Sequence, residues 1–300
     1  MPADNSCVTL PGPWTHRRIQ AHGAQFHIAE AGDPEGKLVL LLHGFPQYWW
    51  AWRNQIEPLA EAGYYVVAVD QRGIGGSDKT PDAHDSLTLS EDILAIIRSL
   101  GASSAVLVGM GRGGSLAWSA TSMEPELVEA LVVVSAPHPR TTYRIGTHLT
   151  LKTWRHAFST LFPFISRGGL KSRRTVENML LDWSAPGNTG ASSQADVYSQ
   201  ALNLPGAASV AFDQLRWTWL SQRTPSGRDY LRRSANPIEA PVLSIRGHLD
   251  PLIPDRAFNK DREFAVGPYQ HVEVPESGHF VPEERPEVFT SILLDFLKKL

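Results

Sequence analysis

Short apolar segments of strand length alternate with amphipathic helical segments along most of this chain, and this alternation restricts its possible folds more than any other feature. Five segments rich in Val and Leu end at, or just before, a turn signal: Leu38–Leu42, Tyr65–Val69, Ala105–Val108, Leu131–Val134 and Pro241–Ile245. Apolar spacing predicts helices over Trp50–Ala62, Leu89–Leu100, Gly113–Met123 and Pro286–Leu297. Runs that are apolar on both faces are typical of parallel strands covered by helices. The sequence therefore predicts an α/β protein with a mostly parallel, doubly wound sheet.

The alternation stops in the second third of the chain. From residue 139 to residue 235 aromatic and aliphatic residues recur at helical spacing, with Gly and Pro between them, and no strand is predicted. We expect residues 1–138 and 236–300 to form a core domain and residues 139–235 to form an inserted helical cap. The cap would lie over the carboxyl ends of the strands, where ligands bind in open α/β sheets.

Composition excludes several classes of protein. Hydrophobic residues make up 42% of the 300 residues and charged residues 20%, as in ordinary globular proteins. The net charge of −3 lacks the excess of basic residues that is typical of proteins that bind nucleic acid. Cys7 is the single cysteine, which excludes an intrachain disulfide and a cysteine-based metal cluster.

These features, with the absence of a bilayer-length apolar run and of a signal-like N-terminus, predict a cytoplasmic protein that acts on a small molecule. We expect no nucleic acid, membrane, metal or other cofactor to take part. A homodimer is compatible with the sequence.

A glycine-rich turn follows the predicted strand at residues 105–108 and admits two interpretations. Gly109, Gly111 and Gly114 satisfy the G-x-G-x-x-G pattern of a dinucleotide site, where an acidic residue must hold the ribose. Glu129 has roughly the required spacing, but it precedes the next strand instead of ending it. The alternative is a nucleophile elbow, G-x-Nu-x-G, with Gly109 and Gly113 as the flanking glycines and residue 111 in the nucleophile position.

Two further residues complete the order expected around such an elbow. Asp250 follows a late strand, and His279 lies in a Gly-flanked loop before the last helix, in the order nucleophile, acid, histidine. Upstream, Phe45 follows His43-Gly44 at the end of another strand. Its backbone N–H and that of Arg112 would form an oxyanion hole.

Taken together, these motifs resemble the α/β-hydrolase fold and, within it, the epoxide hydrolase and haloalkane dehalogenase branch. The resemblance extends over roughly residues 25–300 and rests on ordered motifs: His43 to Gln47 with Trp49, Trp52 and Arg53; Asp70 to Gly73 with Gly76 to Asp78; Ala136 to Pro139; and Gly278-His279 with Pro282 and Glu284. Pro205-Gly206-Ala207, ahead of Phe212 and Arg216, is similar to that branch's helical cap.

The chain departs from this branch at the reacting groups. The resemblance implies an Asp nucleophile preceded by His, but this sequence has Met110 and Gly111 there. Glycine has no side chain, so no ester intermediate can form, and Ser115 lies a full turn into the helix. The branch also uses two cap tyrosines to protonate the epoxide oxygen, and our matching places Arg155 and Leu215 at those positions.

The remaining acid–base pair suggests the function. Asp250 would fix the tautomer of His279, whose other nitrogen would act as a general base. The sequence favours non-hydrolytic chemistry on a bulky aromatic or polycyclic metabolite, such as cyclisation, epoxide opening by the substrate's own nucleophile, carbon–carbon bond formation or elimination. Natural-product biosynthesis is the setting that the resemblance suggests. The expected substrate-binding residues are Met110, Trp49, Trp50, Arg155, Leu215 and Phe280.

Two other functions remain open. His279 could activate water directly, which would make the chain an epoxide or ester hydrolase, or the chain could be a non-catalytic binding protein that keeps only the pocket. For His43, Asp70, Arg72 and His138 we expect structural roles in bracing loops.

Overall fold

The chain folds around one eight-stranded sheet. The structure, a computed structural model, describes residues 6–142, 169–221 and 224–300. The strands are β1 Thr15–Ala21, β2 Ala24–Ala31, β3 Leu38–Leu42, β4 Tyr65–Val69, β5 Ala105–Met110, β6 Val128–Val134, β7 Val242–Gly247 and β8 Tyr269–Val274. Their order across the sheet is β1-β2-β4-β3-β5-β6-β7-β8; β2 pairs antiparallel with both β1 and β4, and all other neighbouring strands are parallel.

The buried central strands agree with the sequence prediction better than the outer strands do. The fully buried strands β3 and β4 begin and end at the predicted residues, because both faces are apolar. The strands β1, β2 and β8 were not predicted. The outer strands β1 and β8 keep exposed polar residues, so no continuous apolar run marks them.

Helices cover both faces of this sheet. Their bounds are α1 Arg53–Glu61, α2 Ser86–Ser99, α3 Arg112–Met123, α4 Pro139–Thr142, α5 Arg173–Trp183, α6 Ala195–Asn203, α7 Ala207–Leu220, α8 Pro225–Arg233, α9 Val281–Glu284 and α10 Pro286–Leu297. Helix α2 begins three residues before the predicted start, because the Asp85 side chain caps it by accepting a hydrogen bond from the Thr88 N–H at 3.0 Å. Between β6 and β7 the elements in the described residues are all helical, as predicted. No helix of the described part has the length and apolar character needed to cross a bilayer.

Alternate residues of the central strands pack on opposite faces of the sheet. Val39 and Leu41 belong to the cluster that contains Trp52, whereas Leu40 and Leu42 belong to the cluster that contains Trp118. The carboxyl ends of β3, β5, β6 and β7 therefore lie along one edge of a sheet that is buried on both sides. This edge carries the site described below.

Loops at this edge are braced by buried charges, as expected for Asp70 and Arg72. Asp70 accepts hydrogen bonds from the backbone N–H groups of Trp49 at 2.9 Å and Gly76 at 2.8 Å, and from His27 Nδ1 at 2.8 Å. Burial alone would raise the pKa of Asp70, but these contacts with His27 and Trp49 lower it. The Arg72 guanidinium donates to both oxygens of buried Asp92, at 2.7 and 2.6 Å.

Replacing Arg72 by Met should lower the free energy of unfolding by about 3–5 kcal/mol, because Asp92 would lose its main buried partner. A matched control is Arg98→Met at the exposed Arg98–Glu124 pair, which should cost about 1 kcal/mol or less. Urea unfolding of both variants measures the difference. Equal losses would contradict this account of the Arg72 loop.

Candidate active site

Residue 111 occupies the apex of a sharp turn between β5 and α3. Its backbone angles are φ +51° and ψ −115°, a region that L side chains rarely adopt, and its N–H donates to the Val134 carbonyl at 2.8 Å. The turn joins a buried strand to a helix, which is the context of a nucleophile elbow. The structure therefore places Gly111 where the sequence predicted the nucleophile position.

Gly113 allows this turn to pack against the neighbouring strand. A β-carbon at residue 113 would lie 2.3 Å from the Leu42 carbonyl oxygen and 2.6 Å from that of His43, closer than any real contact. Only glycine lets the start of α3 approach the end of β3 so closely. This contact brings the elbow beside the loop that begins at His43.

His279 faces the side-chain position of residue 111. A β-carbon at Gly111 would lie 3.2 Å from Nε2 of His279 and 4.0 Å from the Cα of Gly44. The Ser115 hydroxyl does not replace the missing side chain, because it points back along the helix toward the Gly111 carbonyl at 3.4 Å. The imidazole thus lies next to a position that carries no side chain.

Asp250 orients His279 from the opposite side. Asp250 Oδ2 is 3.0 Å from Nδ1 of His279, and Oδ1 accepts the backbone N–H groups of Leu252 at 2.8 Å and Ile253 at 3.1 Å. Both side chains of the pair are buried. Since an ionised carboxylate only accepts, Nδ1 carries a proton, and Nε2 of a neutral imidazole is then free to accept one. The pair has the arrangement of a general base with its orienting acid.

A buried carboxylate holds the loop that carries His279. Glu284 accepts hydrogen bonds from the backbone N–H groups of Gly278 at 2.8 Å, Phe280 at 2.9 Å and Ala185 at 2.8 Å. Burial raises the pKa of Glu284, while these three donors oppose the rise. The sequence identified Glu284 only as part of a motif. Only the structure shows that Glu284 joins the loop of His279 to Ala185, in the segment after α5.

His43 braces the loop that carries Phe45, as expected. Its Nε2 accepts the Gln71 backbone N–H at 3.1 Å, so the proton is on Nδ1, which donates to the Gly44 carbonyl at 2.9 Å. Burial lowers the pKa of His43, which favours this neutral form. The brace fixes the backbone immediately before Phe45.

His138 is also structural in the described contacts. Its ring stacks on Phe264 with centroids 3.7 Å apart, and its backbone N–H donates to Asp261 at 2.9 Å. Burial lowers the pKa of His138 to about 3. A neutral, stacked ring at this strand end matches the expected role.

Two tyrosines described between β6 and β7 have hydroxyl groups engaged elsewhere. The Tyr198 hydroxyl donates to buried Glu283 at 2.7 Å, and the Tyr230 hydroxyl is 2.8 Å from Ser119 Oγ. Glu283 also accepts from Arg53 Nη1 at 2.5 Å and from the Gln47 amide. These bonds occupy both hydroxyl groups within the fold.

Part of the predicted substrate pocket converges near the elbow. Met110 is buried, and a β-carbon at Gly44 would lie 3.4 Å from its terminal methyl carbon. Phe45, Arg112 and Leu215 line one small cavity of about 10 Å³, the room that one water molecule needs. Phe280 is buried directly after His279, and its ring stacks with that of Trp183 at 6.0 Å. Arg155 lies outside the described residues.

The structure does not place the two tryptophans as walls of this space. Trp49 is buried, its indole N–H donates to the Val8 carbonyl at 2.7 Å, and its ring packs edge-on against Trp14. The Trp50 indole N–H donates to Gln194 at 2.9 Å, ahead of helix α6. Their N–H groups thus find partners in the N-terminal segment and just ahead of helix α6, a pairing that no short-range sequence pattern reveals.

The dinucleotide interpretation of the turn finds no support. Glu129 lies near the amino end of β6, away from the edge that carries Gly111, and its carboxylate pairs with Lys37 at 2.6 Å. The strand order also differs from that of the dinucleotide-binding fold.

Comparisons with known proteins identify the family of this chain. Residues 37–286 match the family described as alpha/beta hydrolase fold. The chain is 31% identical over 288 residues to the AB hydrolase superfamily protein YfhM of Bacillus subtilis, covering 93% of this chain and 96% of that protein. It is 29% identical over 318 residues to Epoxide hydrolase A of Mycobacterium tuberculosis, covering 96% and 99% of the two chains.

Solved structures give the same result. Cfl2 from Burkholderia cenocepacia aligns with a TM-score of 0.84 at 25% identity, covering 95% of this chain and 96% of Cfl2. Epoxide hydrolase CorEH aligns with a TM-score of 0.81 at 26% identity, covering 95% and 99%. The chain belongs to the α/β-hydrolase family, in its epoxide hydrolase-like branch.

Restoring a carboxylate at residue 111 tests the elbow geometry. In Gly111→Asp combined with His279→Gln, the new carboxylate should attack a terminal epoxide, and the ester should persist because the base that hydrolyses it is gone. Intact-protein mass spectrometry should then show a gain equal to the mass of the epoxide. The positive φ should cost about 1–3 kcal/mol of stability.

The matched control is Gly111→Asn with the same His279→Gln change, which adds similar bulk without a nucleophile. It should gain no mass. A folded aspartate variant that stays unmodified under conditions that saturate a wild-type epoxide hydrolase would contradict the assigned position of residue 111.

Proposed function

We propose that this chain is an enzyme that uses the Asp250–His279 pair as a general base without forming a covalent enzyme intermediate. The proposed substrate is a bulky aromatic or polycyclic metabolite that carries an epoxide and its own nucleophilic hydroxyl group. The proposed reaction is closure of a new ring as that hydroxyl opens the epoxide. The observation that carries the proposal is the glycine at residue 111, whose β-carbon would lie 3.2 Å from Nε2 of His279.

The glycine removes the covalent route but leaves the base in place. Loss of the nucleophile in a comparable hydrolytic site costs about 10⁶-fold in kcat. His279 nevertheless remains bonded to Asp250 at 3.0 Å and is held by the loop that Glu284 clamps. A base held in this way can take a proton directly from a hydroxyl group placed over Gly111.

The proton balance of the reaction is complete within the site. Nε2 of His279 takes the hydroxyl proton as the oxygen attacks an epoxide carbon and the carbon–oxygen bond of the ring breaks. The epoxide oxygen, stabilised by the backbone N–H groups of Phe45 and Arg112, receives that proton back from the imidazolium. Because the nucleophile belongs to the substrate, its effective concentration exceeds that of a free reactant by orders of magnitude.

The remaining residues would bind and enclose the substrate. Met110, Leu215 and Phe280 supply apolar surface near the elbow, with Arg155 as a further candidate, and we propose residues 139–235 as the cap over a core of residues 1–138 and 236–300. The reaction needs no cofactor, because it changes neither oxidation state nor composition.

A second candidate function is hydrolysis of an epoxide by water that His279 activates directly. The names of the relatives favour it, since several of them are called epoxide hydrolases. The same base would then deprotonate a water molecule above Gly111, again with no ester formed.

Turnover of hydroxy-epoxides in ¹⁸O-labelled water separates these functions. A panel of aromatic hydroxy-epoxides should give cyclic products with the mass of the substrate and no label. His279→Gln should lower the rate by about 10²–10⁴-fold, because the general base is removed. Ser115→Ala is the matched control, since the Ser115 hydroxyl points back to the Gly111 carbonyl, and it should retain the wild-type rate.

A diol with one ¹⁸O atom, formed by wild type and lost in His279→Gln, would replace cyclisation with direct hydrolysis. Substrates that bind equally to wild type and His279→Gln but are never transformed would refute both reactions and leave a binding protein.

A further inference from the structure

A second group of chemically reactive side chains lies at the edge of the sheet, separate from the active site. His271 and Glu273 are two residues apart on the outer strand β8, so they point to the same face. Asp255 begins a 3₁₀ helix, Asp255–Glu263, that covers this face. Phe258 of that helix lies with its ring 5.2 Å from that of His271. The fold thus brings one imidazole and two carboxylates together from two segments.

The spacing of these groups suits one metal ion. One ligand atom from each of Asp255, His271 and Glu273 lies within 4.8 Å of the other two, and His271 Nε2 is 3.9 Å from Asp255 Oδ1. Ligands around a tetrahedral zinc ion, with bonds of about 2.0–2.1 Å, lie roughly 3.3 Å apart. Rotamer changes in the exposed Asp255 and Glu273 side chains would supply the small remaining movement.

The His271 ring is already oriented as a metal ligand. Its Nδ1 is 3.1 Å from Ser244 Oγ, the residue opposite it in strand β7. Its Nε2 is buried and has no hydrogen-bond partner in the described part of the chain. Metal-binding histidines typically bond through one nitrogen to a second group, which directs the other nitrogen at the ion.

Glu273 can contribute one carboxylate oxygen to the same metal ion. Its Oε1 accepts from Arg246 Nη1 at 2.6 Å, and its Oε2 is 3.0 Å from His248 Nδ1. At that distance Oε2 and Nδ1 form a hydrogen bond, which Oε2 would exchange for a bond to the ion. The Arg246 charge would weaken cation binding without blocking Oε2.

We propose that Asp255, His271 and Glu273 form a binding site for a divalent transition-metal ion such as Zn²⁺. The imidazole ligand favours zinc, copper or nickel, whereas Mg²⁺ and Ca²⁺ prefer oxygen ligands alone. The site is structural in character, because it would join β8 to the segment that follows β7.

The segment that follows β7 also carries Asp250, so the proposed metal site is connected to the candidate active site. Arg246 Nε donates to the Ile253 carbonyl at 3.2 Å, and the Ile253 N–H donates to Asp250. A bound ion would therefore stabilise the turn that orients Asp250.

Calorimetric titration of untagged, metal-free protein with Zn²⁺ tests the site. One ion should bind per chain, and the melting temperature should rise when Zn²⁺ is added. His271→Ala and Asp255→Asn should each weaken Zn²⁺ binding at least tenfold while the metal-free proteins melt near the wild-type temperature. Co²⁺ in place of Zn²⁺ should give visible absorption bands that His271→Ala abolishes.

The matched control is His22→Ala. His22 also faces two carboxylates, but its Nδ1 contacts Asp92 at 2.7 Å and its Nε2 contacts Glu91 at 4.0 Å, so no single ion can bridge them. This variant should bind Zn²⁺ as wild type does. Absence of saturable binding at one ion per chain, or unchanged binding in His271→Ala, would overturn the proposal whether or not the proposed reaction is found.

Discussion

The close approach of the start of helix α3 to the end of strand β3 determines the rest of the site. Gly113 lies so near the carbonyl oxygens of Leu42 and His43 that no side chain fits between them. This contact places the apex at Gly111 beside the loop that begins at His43, and opposite Nε2 of His279. Since the start of α3 meets the end of β3 through backbone atoms, this geometry depends on the absence of a side chain at residue 113. The arrangement of this candidate site is therefore a consequence of how helix and sheet pack.

Buried carboxylates keep the converging loops in place. Asp70 holds the turn before Trp49, Glu284 holds the loop around His279, and Glu283 joins Gln47 to Tyr198 of helix α6. A carboxylate removed from water costs several kcal/mol unless hydrogen bonds and charges compensate it. Each of these three carboxylates accepts three or more hydrogen bonds or ion pairs from separate segments, so loss of one would release several loops together.

Sequence patterns predicted what depends on local chemistry. Strands β3 and β4, the glycine turn and the order of residue 111, Asp250 and His279 follow from apolar runs and glycine spacing, and the structure brings the three positions together. The outer strands and the placement of Trp49 could not be predicted in this way, because they depend on partners distant in sequence. Trp49 is an aromatic residue of the kind that lines pockets, yet its indole N–H donates to the carbonyl of Val8, 41 residues away.

The position of His279 depends on bonds that also serve the fold. Glu284 fixes the loop that carries His279. The backbone N–H of His279 also donates to the Trp183 carbonyl at 2.9 Å. The bonds that orient His279 therefore also join the core to the segment around Ala185. Such bonds would survive even if catalysis were lost, and an ordered loop alone does not argue for activity.

The His279 side chain is the stronger argument. Packing does not require an imidazole bonded to a buried carboxylate through one nitrogen while the other faces position 111. An apolar residue would fill that volume without the cost of burying Asp250. Retention of both polar groups beside a glycine therefore favours a site that still moves protons over one that only fills space.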